Sequence, residues 1–210
     1  RELIAAKDDK PFFLYFCTAD PHRSGGEVPD NPLQPNPFGN QAAGYKGVTE
    51  ATYDPKGVIV PPFLPDTPTC RAELAQYYQS VSRVDQGVAK LVEILKAAGQ
   101  YDNTLIVFTS DHGIAMPGSK TTVYEPGLTV PMIYKLPGKP DSTSAGRTCN
   151  AMVSHVDLTP TLLAAAGALP KDDGPAPKRP RAAANQSTLQ GRSYWNVLKE
   201  EKPAGWDEIN

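Results

Sequence analysis

The sequence predicts an α/β fold with a mainly parallel sheet that is flanked by helices. Three short apolar segments, residues 11–17, 104–109 and 129–134, have the length and composition of buried strands. A longer segment, residues 67–99, repeats apolar residues every three or four positions, as one face of a helix does. Strands that alternate with helices are typical of parallel sheets, because a parallel pair needs a long crossover connection.

The first predicted strand, residues 11–17, is a continuous apolar run that is rich in aromatic residues. Such a run predicts a strand that is buried on both faces. A long loop, residues 24–66, lies beyond it and is rich in proline with little periodicity. A loop of this length is unusual in a compact domain and is more often functional than idle.

The predicted helix begins at Thr67 and Pro68, which suit the N-cap and the first helical position. Gly99 is a typical stop signal at its other end. The recurring apolar positions are Leu74, Tyr77, Val81, Val84, Val88, Leu91 and Leu95. Their spacing places them on one face of the helix.

The remaining elements follow in the same alternating order. The second predicted strand, residues 104–109, runs into the polar segment 110–113. The third strand, residues 129–134, follows a loop that is rich in Gly and Pro. Residues 154–167 predict a second helix, with Asp157 as its expected N-cap.

Composition excludes several classes of protein. The 210 residues include 21 Lys and Arg against 23 Asp and Glu, a net charge of −2 that argues against nucleic-acid binding through a broad basic face. No apolar run reaches the ~18 residues that a membrane-spanning helix needs.

The three cysteines are widely spaced and form neither a disulfide framework nor a zinc cluster. The chain begins with Arg1 instead of Met, so we expect a mature or truncated product.

Two polar clusters follow the first two predicted strands. The first is residues 20–23, Asp-Pro-His-Arg, and the second contains Asp111 and His112. Ligands of open α/β sheets bind beyond the carboxyl ends of the strands. A carboxylate beside an imidazole can bind a divalent cation, and Gly113 permits the sharp turn that lets both face one ligand. The alternative is that Asp111 caps the next segment and His112 is an ordinary surface histidine.

His22 and Lys120 are two further candidates. An imidazole gives or takes a proton near neutral pH, so His22 suits an acid or an anion ligand. The alternative is a loop histidine that hydrogen-bonds to a backbone carbonyl. Lys120 lies in a polar loop nine residues beyond Asp111, where it would bind an anion or else be simply solvated.

In combination, these segments resemble the sulfatase family. The C-terminal half of the family's catalytic core is similar to residues 110–113, 120–127, 130–132, 154–167 and 191–193. The branch of the family that acts on N-sulfated sugars is similar to residues 20–23, 53–55, 60–65 and 83–88. The resemblance covers roughly residues 10–200, and its motifs together are specific to sulfatases.

The resemblance implies an alkaline-phosphatase-like α/β core that hydrolyses a sulfate ester or sulfamate on a sulfated sugar or glycosaminoglycan. Residues 1–169 would form the C-terminal half of this core, in which the loop 24–66 shapes the choice of sugar. Residues 170–210 would form a loop and the start of the C-terminal region. An exported protein is implied as well, in a periplasm, outside the cell or in a lysosome-like compartment.

The resemblance also implies roles for individual residues. Asp111 matches a metal-ligand position, and His112 falls where close relatives often carry Asn. Ca²⁺ is the first expectation for the metal, and the imidazole leaves Mn²⁺ or Zn²⁺ open. His22 matches the histidine that contacts the sulfate near the leaving group, and Lys120 matches a basic sulfate-binding position where close relatives carry Arg. Arg23 is a third candidate for binding the substrate.

One departure from the family is an absence. Sulfatases attack with a formylglycine that is made from Cys or Ser in a Cys/Ser-x-Pro-x-Arg motif, and none of Cys17, Cys70 and Cys149 has Pro two residues later. We expect the formylglycine and the paired Asp metal ligands upstream of this chain, in a missing N-terminal part of the same enzyme. We therefore predict that the chain alone does not turn over substrate and binds metal weakly, since two ligands are too few for a closed site.

Two other functions stay open at this point. One is a phosphomonoesterase or phosphodiesterase of the same superfamily, in which Asp-His-Gly also occurs. The other is a non-catalytic protein that only binds sulfated glycans.

Overall fold

The computed structural model describes residues 2–5, 10–23, 31–33, 35–138, 146–169, 189–199 and 206. The chain divides into two compact units, Arg1–Gly138 and Lys139–Asn210. The first unit contains α1 (Glu2–Ala5), α2 (Pro68–Ala97), β1 (Ile106–Thr109), α3 (Glu125–Leu128) and β2 (Met132–Lys135). The second unit contains a 3₁₀ turn (His155–Asp157), α4 (Leu158–Ala165) and a further 3₁₀ turn (Val197–Lys199).

Helix α2 confirms the prediction from apolar spacing and caps. The hydroxyl of Thr67 accepts a hydrogen bond from the backbone N–H of Cys70, 3.2 Å away, and Pro68 is the first helical residue. The chain leaves the helix through Gly99, whose φ of +68° is readily adopted only by glycine. This 30-residue helix is the scaffold of the first unit.

The long proline-rich loop packs onto α2. Phe38, Val58 and Leu64 are buried from the loop side. They form one apolar cluster with Leu74 and Ala75 of the helix and with Met116. Between residues 35 and 67 the chain contains neither helix nor strand. The loop prediction is thus confirmed over these residues, and the loop is fixed by apolar contacts with the helix.

The sheet differs from the prediction. Among the described residues it has two strands, β1 and β2, which pair antiparallel with Ile106 opposite Lys135 and Thr109 opposite Met132. The predicted mainly parallel sheet is not found in this part of the chain. The connection between the strands contains one helical turn, α3, and its two limbs are joined by a hydrogen bond from Gly113 N to Gly127 O (3.1 Å). Because this connection folds back on itself, β2 returns antiparallel to β1.

The first predicted strand also differs from the prediction. Residues 11–17 contain no strand, and the side chains of Phe13, Tyr15 and Phe16 are 73%, 80% and 59% exposed. An isolated strand gains nothing from extended backbone unless a partner satisfies its N–H and C=O groups. No described strand pairs with this segment, so its apolar side chains face solvent.

The second unit contains the predicted helix between residues 154 and 167. Asp157 is the N-cap residue of α4, as predicted, but its carboxylate makes no capping hydrogen bond to that helix. It accepts hydrogen bonds from the backbone N–H groups of Ser154 (3.1 Å) and Arg192 (2.9 Å) instead. Gly191 is required where the chain passes close to this turn, since a Cβ there would lie 2.1 Å from the carbonyl oxygen of Val156. Residues 170–188, which belong to the predicted loop and start of the C-terminal region, lie outside the described residues. Within the described ranges, no helix is long and apolar enough to cross a membrane.

Candidate functional site

His22 and Lys120 lie together in the first unit although 98 positions separate them in the sequence. The ammonium nitrogen Nζ of Lys120 is 3.2 Å from Nε2 of His22. A charged ammonium group can only donate, so Nε2 of the imidazole accepts and the ring proton lies on Nδ1. Both groups face solvent to some degree, since His22 is exposed and Lys120 is half-buried. The two side chains thus place an ammonium group and an imidazole side by side at the surface.

Three contacts fix the turn that carries His22. The backbone N–H of His22 donates to the carbonyl oxygen of Ala19 at 2.8 Å. The hydroxyl of Thr18 donates to the carbonyl oxygen of Asp20, which closes the turn from the other side. The carboxylate of Asp20 binds Arg83 of α2. Hydrogen bonds and an ion pair therefore define the backbone around His22.

A tight loop, residues 113–127, holds Lys120. Its backbone N–H donates to the carbonyl oxygen of Ile114 at 3.1 Å. Ser119 is fully buried, and its hydroxyl donates to the carbonyl oxygen of Pro126 at 2.7 Å. Thr121 has a φ of +67°, which is unusual for a β-branched residue. Backbone strain of this kind persists only where the surrounding contacts enforce it, and it concentrates at functional sites.

Arg23 pairs with helix α2. One terminal nitrogen of its guanidinium lies 2.9 Å from a carboxylate oxygen of Glu73, and the other lies 3.9 Å from the sulfur of Met116. These contacts leave Arg23 about one-third exposed. In this arrangement its charge is balanced by Glu73, while Lys120 has an imidazole and not a carboxylate as its neighbour.

Asp111 and His112 lie side by side beyond the end of β1. A carboxylate oxygen of Asp111 is 3.6 Å from Nε2 of His112, and Nδ1 of the same ring is 2.8 Å from the carbonyl oxygen of Gly113. A carbonyl only accepts hydrogen bonds, so Nδ1 carries a proton, and Nε2 is the ring nitrogen on the side of Asp111, where it can bind a metal when it is unprotonated. Asp111 and His112 thus supply a carboxylate oxygen and an imidazole nitrogen, two metal-ligating atoms that suit a divalent cation.

These two ligands do not complete a metal site by themselves. Among the described residues, no group of three His, Cys, Asp or Glu side chains could hold a metal ion. The side chain of Asp111 is also 86% exposed, so water competes for its oxygens. A closed structural site normally has four ligands. The pair fits one side of a cation site that needs further ligands.

The negative charge of Asp111 also acts on Tyr15 in the segment that precedes His22. A hydrogen bond with Cys17 is the largest cause that raises the pKa of Tyr15, and the charge of Asp111 is a smaller contribution in the same direction. The end of residues 11–17 and the end of β1 are thus within electrostatic reach of each other.

Sequence reasoning missed a buried polar network behind His22. The guanidinium of Arg83 binds both carboxylate oxygens of Asp20 at 2.9 Å, and the hydroxyl of Ser80 donates to one of them at 2.8 Å. Desolvation alone would raise the pKa of Asp20, but the hydrogen bonds and the charge of Arg83 outweigh it and lower that pKa. The only sequence signal was polar residues at positions 80 and 83 of an otherwise amphipathic helix.

This network predicts a loss of stability in acid. Because the pKa of Asp20 is lower in the folded chain, its ionised carboxylate stabilises the fold above the ordinary value of about 4, and this contribution is lost as the pH falls through the folded value. We expect Asp20→Asn to reduce the dependence of the free energy of unfolding on pH below about pH 4. Urea unfolding over a series of acidic pH values measures this dependence.

Asp66→Asn is the matched control for the acid prediction. Its partner Arg71 also lowers the pKa of Asp66 through hydrogen bonds, but that carboxylate is 59% exposed. Solvent screens such a pair, so we expect a smaller change for Asp66→Asn than for Asp20→Asn. If the pH dependence of Asp20→Asn equalled that of the unchanged chain, the proposed contribution of Asp20 would be refuted.

Comparison with known proteins assigns the chain to a family. A sequence model of the sulfatase family matches residues 1–168. The human N-sulphoglucosamine sulphohydrolase is 42% identical over 78% of this chain and 33% of its own length. An ulvan-active sulfatase of Formosa agariphila is 30% identical over 96% of this chain and 36% of its own length. This chain therefore spans about a third of these relatives.

A solved structure is similar as well. A phosphonate monoester hydrolase from Silicibacter pomeroyi matches with a TM-score of 0.50 and 28% identity, over 74% of this chain and 28% of that chain. Together with the family match, this similarity indicates an alkaline-phosphatase-like fold, which confirms that part of the fold prediction. The predicted family is confirmed too: the chain belongs to the sulfatase family.

Proposed function

We propose that this chain is part of the catalytic core of a sulfatase that hydrolyses sulfate esters or sulfamates of sugars. The observation that carries the proposal is the 3.2 Å contact between Nζ of Lys120 and Nε2 of His22. A cation and an imidazole at one surface site suit a substrate that carries a sulfate group. The family match supports sulfatase chemistry, and the names of the two relatives support sulfated sugars as the substrate class.

Each of the two residues has a definite part in this chemistry. The ammonium of Lys120 neutralises charge on the sulfate and stabilises the charge that develops in the transition state. His22, when protonated on Nε2, gives its proton to the departing alkoxide or amine. A bound sulfate oxygen takes over the hydrogen bond of Lys120, which releases Nε2 of His22 from its acceptor role.

Asp111 and His112 are proposed as two ligands of the divalent cation that sulfatases use. Ca²⁺ remains our first choice, and the imidazole of His112 also suits Mn²⁺ or Zn²⁺. A cation held there would neutralise negative charge on the substrate when it is bound. The exposed carboxylate of Asp111 and the lone pair of His112 at Nε2 support this role.

The nucleophile and the other metal ligands are proposed to lie in an N-terminal part of the same enzyme, outside these 210 residues. Relatives of which this chain covers only about a third support this proposal. The exposed apolar segment 11–17 supports it as well, since its aromatic side chains and unpaired backbone suit pairing with further strands. Such pairing would supply the mainly parallel sheet of the fold. Residues 1–169 would then be the C-terminal half of the core, and residues 170–210 a loop and the start of the next region.

The long loop is proposed to contribute to sugar binding. An open cavity of about 340 Å³ lies between it and α2, and its carboxamide side chains are Asn36, Asn40, Gln41, Gln76 and Gln79. A carboxamide both donates and accepts hydrogen bonds, as a sugar hydroxyl does. Asn36, Asn40, Gln76 and Gln79 already make hydrogen bonds within the protein, so a sugar would use their remaining donor and acceptor positions. We also propose an exported enzyme, since an exported location is the expectation for sulfatases that act on glycans.

A sulfate titration tests the proposed function. Inorganic sulfate added to isotope-labelled chain should shift the side-chain NMR resonances of His22 and Lys120 in a saturable manner. Lys120→Met should abolish this binding, because it removes the charge and keeps the bulk of the side chain. Lys90→Met is the control, since Lys90 pairs with Glu93 on the exposed face of α2. Equal sulfate affinity in both variants would refute the proposal.

The phosphonate monoester hydrolase match favours one second candidate, a phosphoester or phosphonate ester hydrolase. The same titration with inorganic phosphate distinguishes the two functions. A site for sulfate monoesters should bind sulfate at least as tightly as phosphate, whereas a phosphoesterase site should prefer phosphate. Heparin retention without turnover, in the protein with the whole core, would instead favour the non-catalytic glycan-binding protein.

A further inference from the structure

We propose that Arg83 is a positioning residue of the site. Through Asp20 it fixes the turn that carries His22, so that the imidazole meets Lys120. The inference rests on the proposed function of His22 and Lys120. It assigns Arg83 no contact with the substrate.

All three nitrogen atoms of the Arg83 guanidinium donate hydrogen bonds. Nε and one terminal nitrogen bind the two carboxylate oxygens of Asp20, each at 2.9 Å. The same terminal nitrogen also donates to the carbonyl oxygen of Phe38 at 3.1 Å, and the other donates to the side-chain oxygen of Asn40. The side chain is only 5% exposed. A guanidinium held in this way has one orientation, which it imposes on Asp20.

Asp20 transmits that orientation to His22 over a short distance. Both of its carboxylate oxygens are occupied, because Ser80 donates to one of them at 2.8 Å in addition to Arg83. His22 follows two residues later, and its N–H is bonded to the carbonyl oxygen of Ala19 within the same turn. A shift of Asp20 would therefore move the backbone of His22 and change its 3.2 Å contact with Lys120.

A second ion pair holds the other side of His22. Arg23 binds Glu73 at 2.9 Å, and Glu73, Ser80 and Arg83 recur on α2 at intervals of seven and three residues. These intervals place the three side chains on one face of the helix. His22 lies between two anchors on this face, Asp20 with Arg83 and Arg23 with Glu73. The helix thus acts as a rigid support for the turn.

A purely stabilising role explains the arrangement less well. Arg83 is removed from water, whereas the side chain of Asp20 stays about one-third exposed. Removing the guanidinium from water opposes folding, so a pair of this kind stabilises a fold little more than apolar residues of similar volume do. The pair does fix an orientation, because a guanidinium that donates two parallel hydrogen bonds holds a carboxylate in one geometry only. The residue it directs, Asp20, is two positions from the proposed acid.

The test compares Arg83→Lys with Arg71→Lys. Arg71 lies on the same helix and holds another loop through a similar bidentate pair with Asp66 and through the carbonyl oxygen of Val58. Both variants keep the positive charge and lose the planar guanidinium that donates two parallel hydrogen bonds to a carboxylate. We expect Arg83→Lys to weaken the binding of inorganic sulfate about tenfold, which is the lower end of the loss seen when a residue that orients a metal ligand is replaced. Arg71→Lys should leave sulfate binding unchanged. Urea unfolding of both variants separates this effect from a general loss of stability.

Each outcome decides one question. If the unchanged chain does not bind sulfate, the proposed function fails and the inference fails with it. If the unchanged chain binds sulfate and Arg83→Lys binds it equally well, the inference alone is overturned. Should Arg83→Lys fail to fold, Ser80→Ala replaces it, since it removes a single 2.8 Å hydrogen bond to Asp20. A sulfate affinity of Ser80→Ala below that of Arg71→Lys then supports the inference, and an equal affinity overturns it.

Discussion

Replacing Gly113 with alanine is expected to destabilise the first unit by about 4 kcal/mol or more, a loss that is exceptional for one substitution. A Cβ at this position would lie 1.8 Å from the carbonyl oxygen of Pro126 and 2.6 Å from the hydroxyl oxygen of Ser119. The carbonyl belongs to α3 and cannot rotate away as a flexible side chain would. The two limbs of the loop 113–127 must therefore separate, and Lys120 loses its place opposite His22.

Gly87→Ala is the matched control for this substitution. Gly87 lies within α2, and a Cβ there would meet nothing within 4 Å. Alanine in the middle of a helix is more favourable than glycine, so we expect a gain of up to about 1 kcal/mol in the free energy of unfolding. Urea unfolding of both variants gives the comparison. Equal urea midpoints for Gly113→Ala and the unchanged chain would contradict the close contact that we describe.

Local signals in the sequence predicted the helices well. The ends of α2 follow from Thr67, Pro68 and Gly99, and each acts on backbone groups only a few residues away. The strands were harder, because their direction depends on residues far apart. Residues 11–17 have the composition of a buried strand, yet composition does not supply the partner that a strand needs. The antiparallel return of β2 depends on the folded loop between Gly113 and Gly127, which apolar patterns do not report.

The candidate site was also predictable only in part, since residue types could be read from the sequence and their contacts could not. His22 and Lys120 were singled out as residue types that suit an anion, but their 3.2 Å contact joins positions that no local pattern connects. Only the family resemblance predicted that they act together. Arg83 was part of a recognised segment without any assigned role. Its partner Asp20 lies 63 positions away, and a long-range ion pair of this kind becomes visible only in three dimensions.

Replacing Lys120 with alanine is expected to lower kcat/KM for a sulfated sugar by about 10²–10³-fold, the typical effect of removing one donor to the developing charge. The measurement uses the protein that contains the whole catalytic core. A residue that binds the sulfate equally in the ground state and the transition state would raise KM alone. We expect kcat to fall as well, since Lys120 is proposed to stabilise charge that develops on the sulfate in the transition state.

Lys120→Arg separates the charge of this residue from its shape. Arginine restores the positive charge and adds a fork that can bind two sulfate oxygens, and the resemblance places Arg here in close relatives. We expect Lys120→Arg to recover most of the lost kcat/KM, and Lys90→Ala on the exposed face of α2 to leave it unchanged. If Lys120→Arg were as inactive as Lys120→Ala, the charge would not be the decisive property. The 3.2 Å contact of Lys120 with His22 would then carry the function, since the longer arginine side chain cannot reproduce it in the same position.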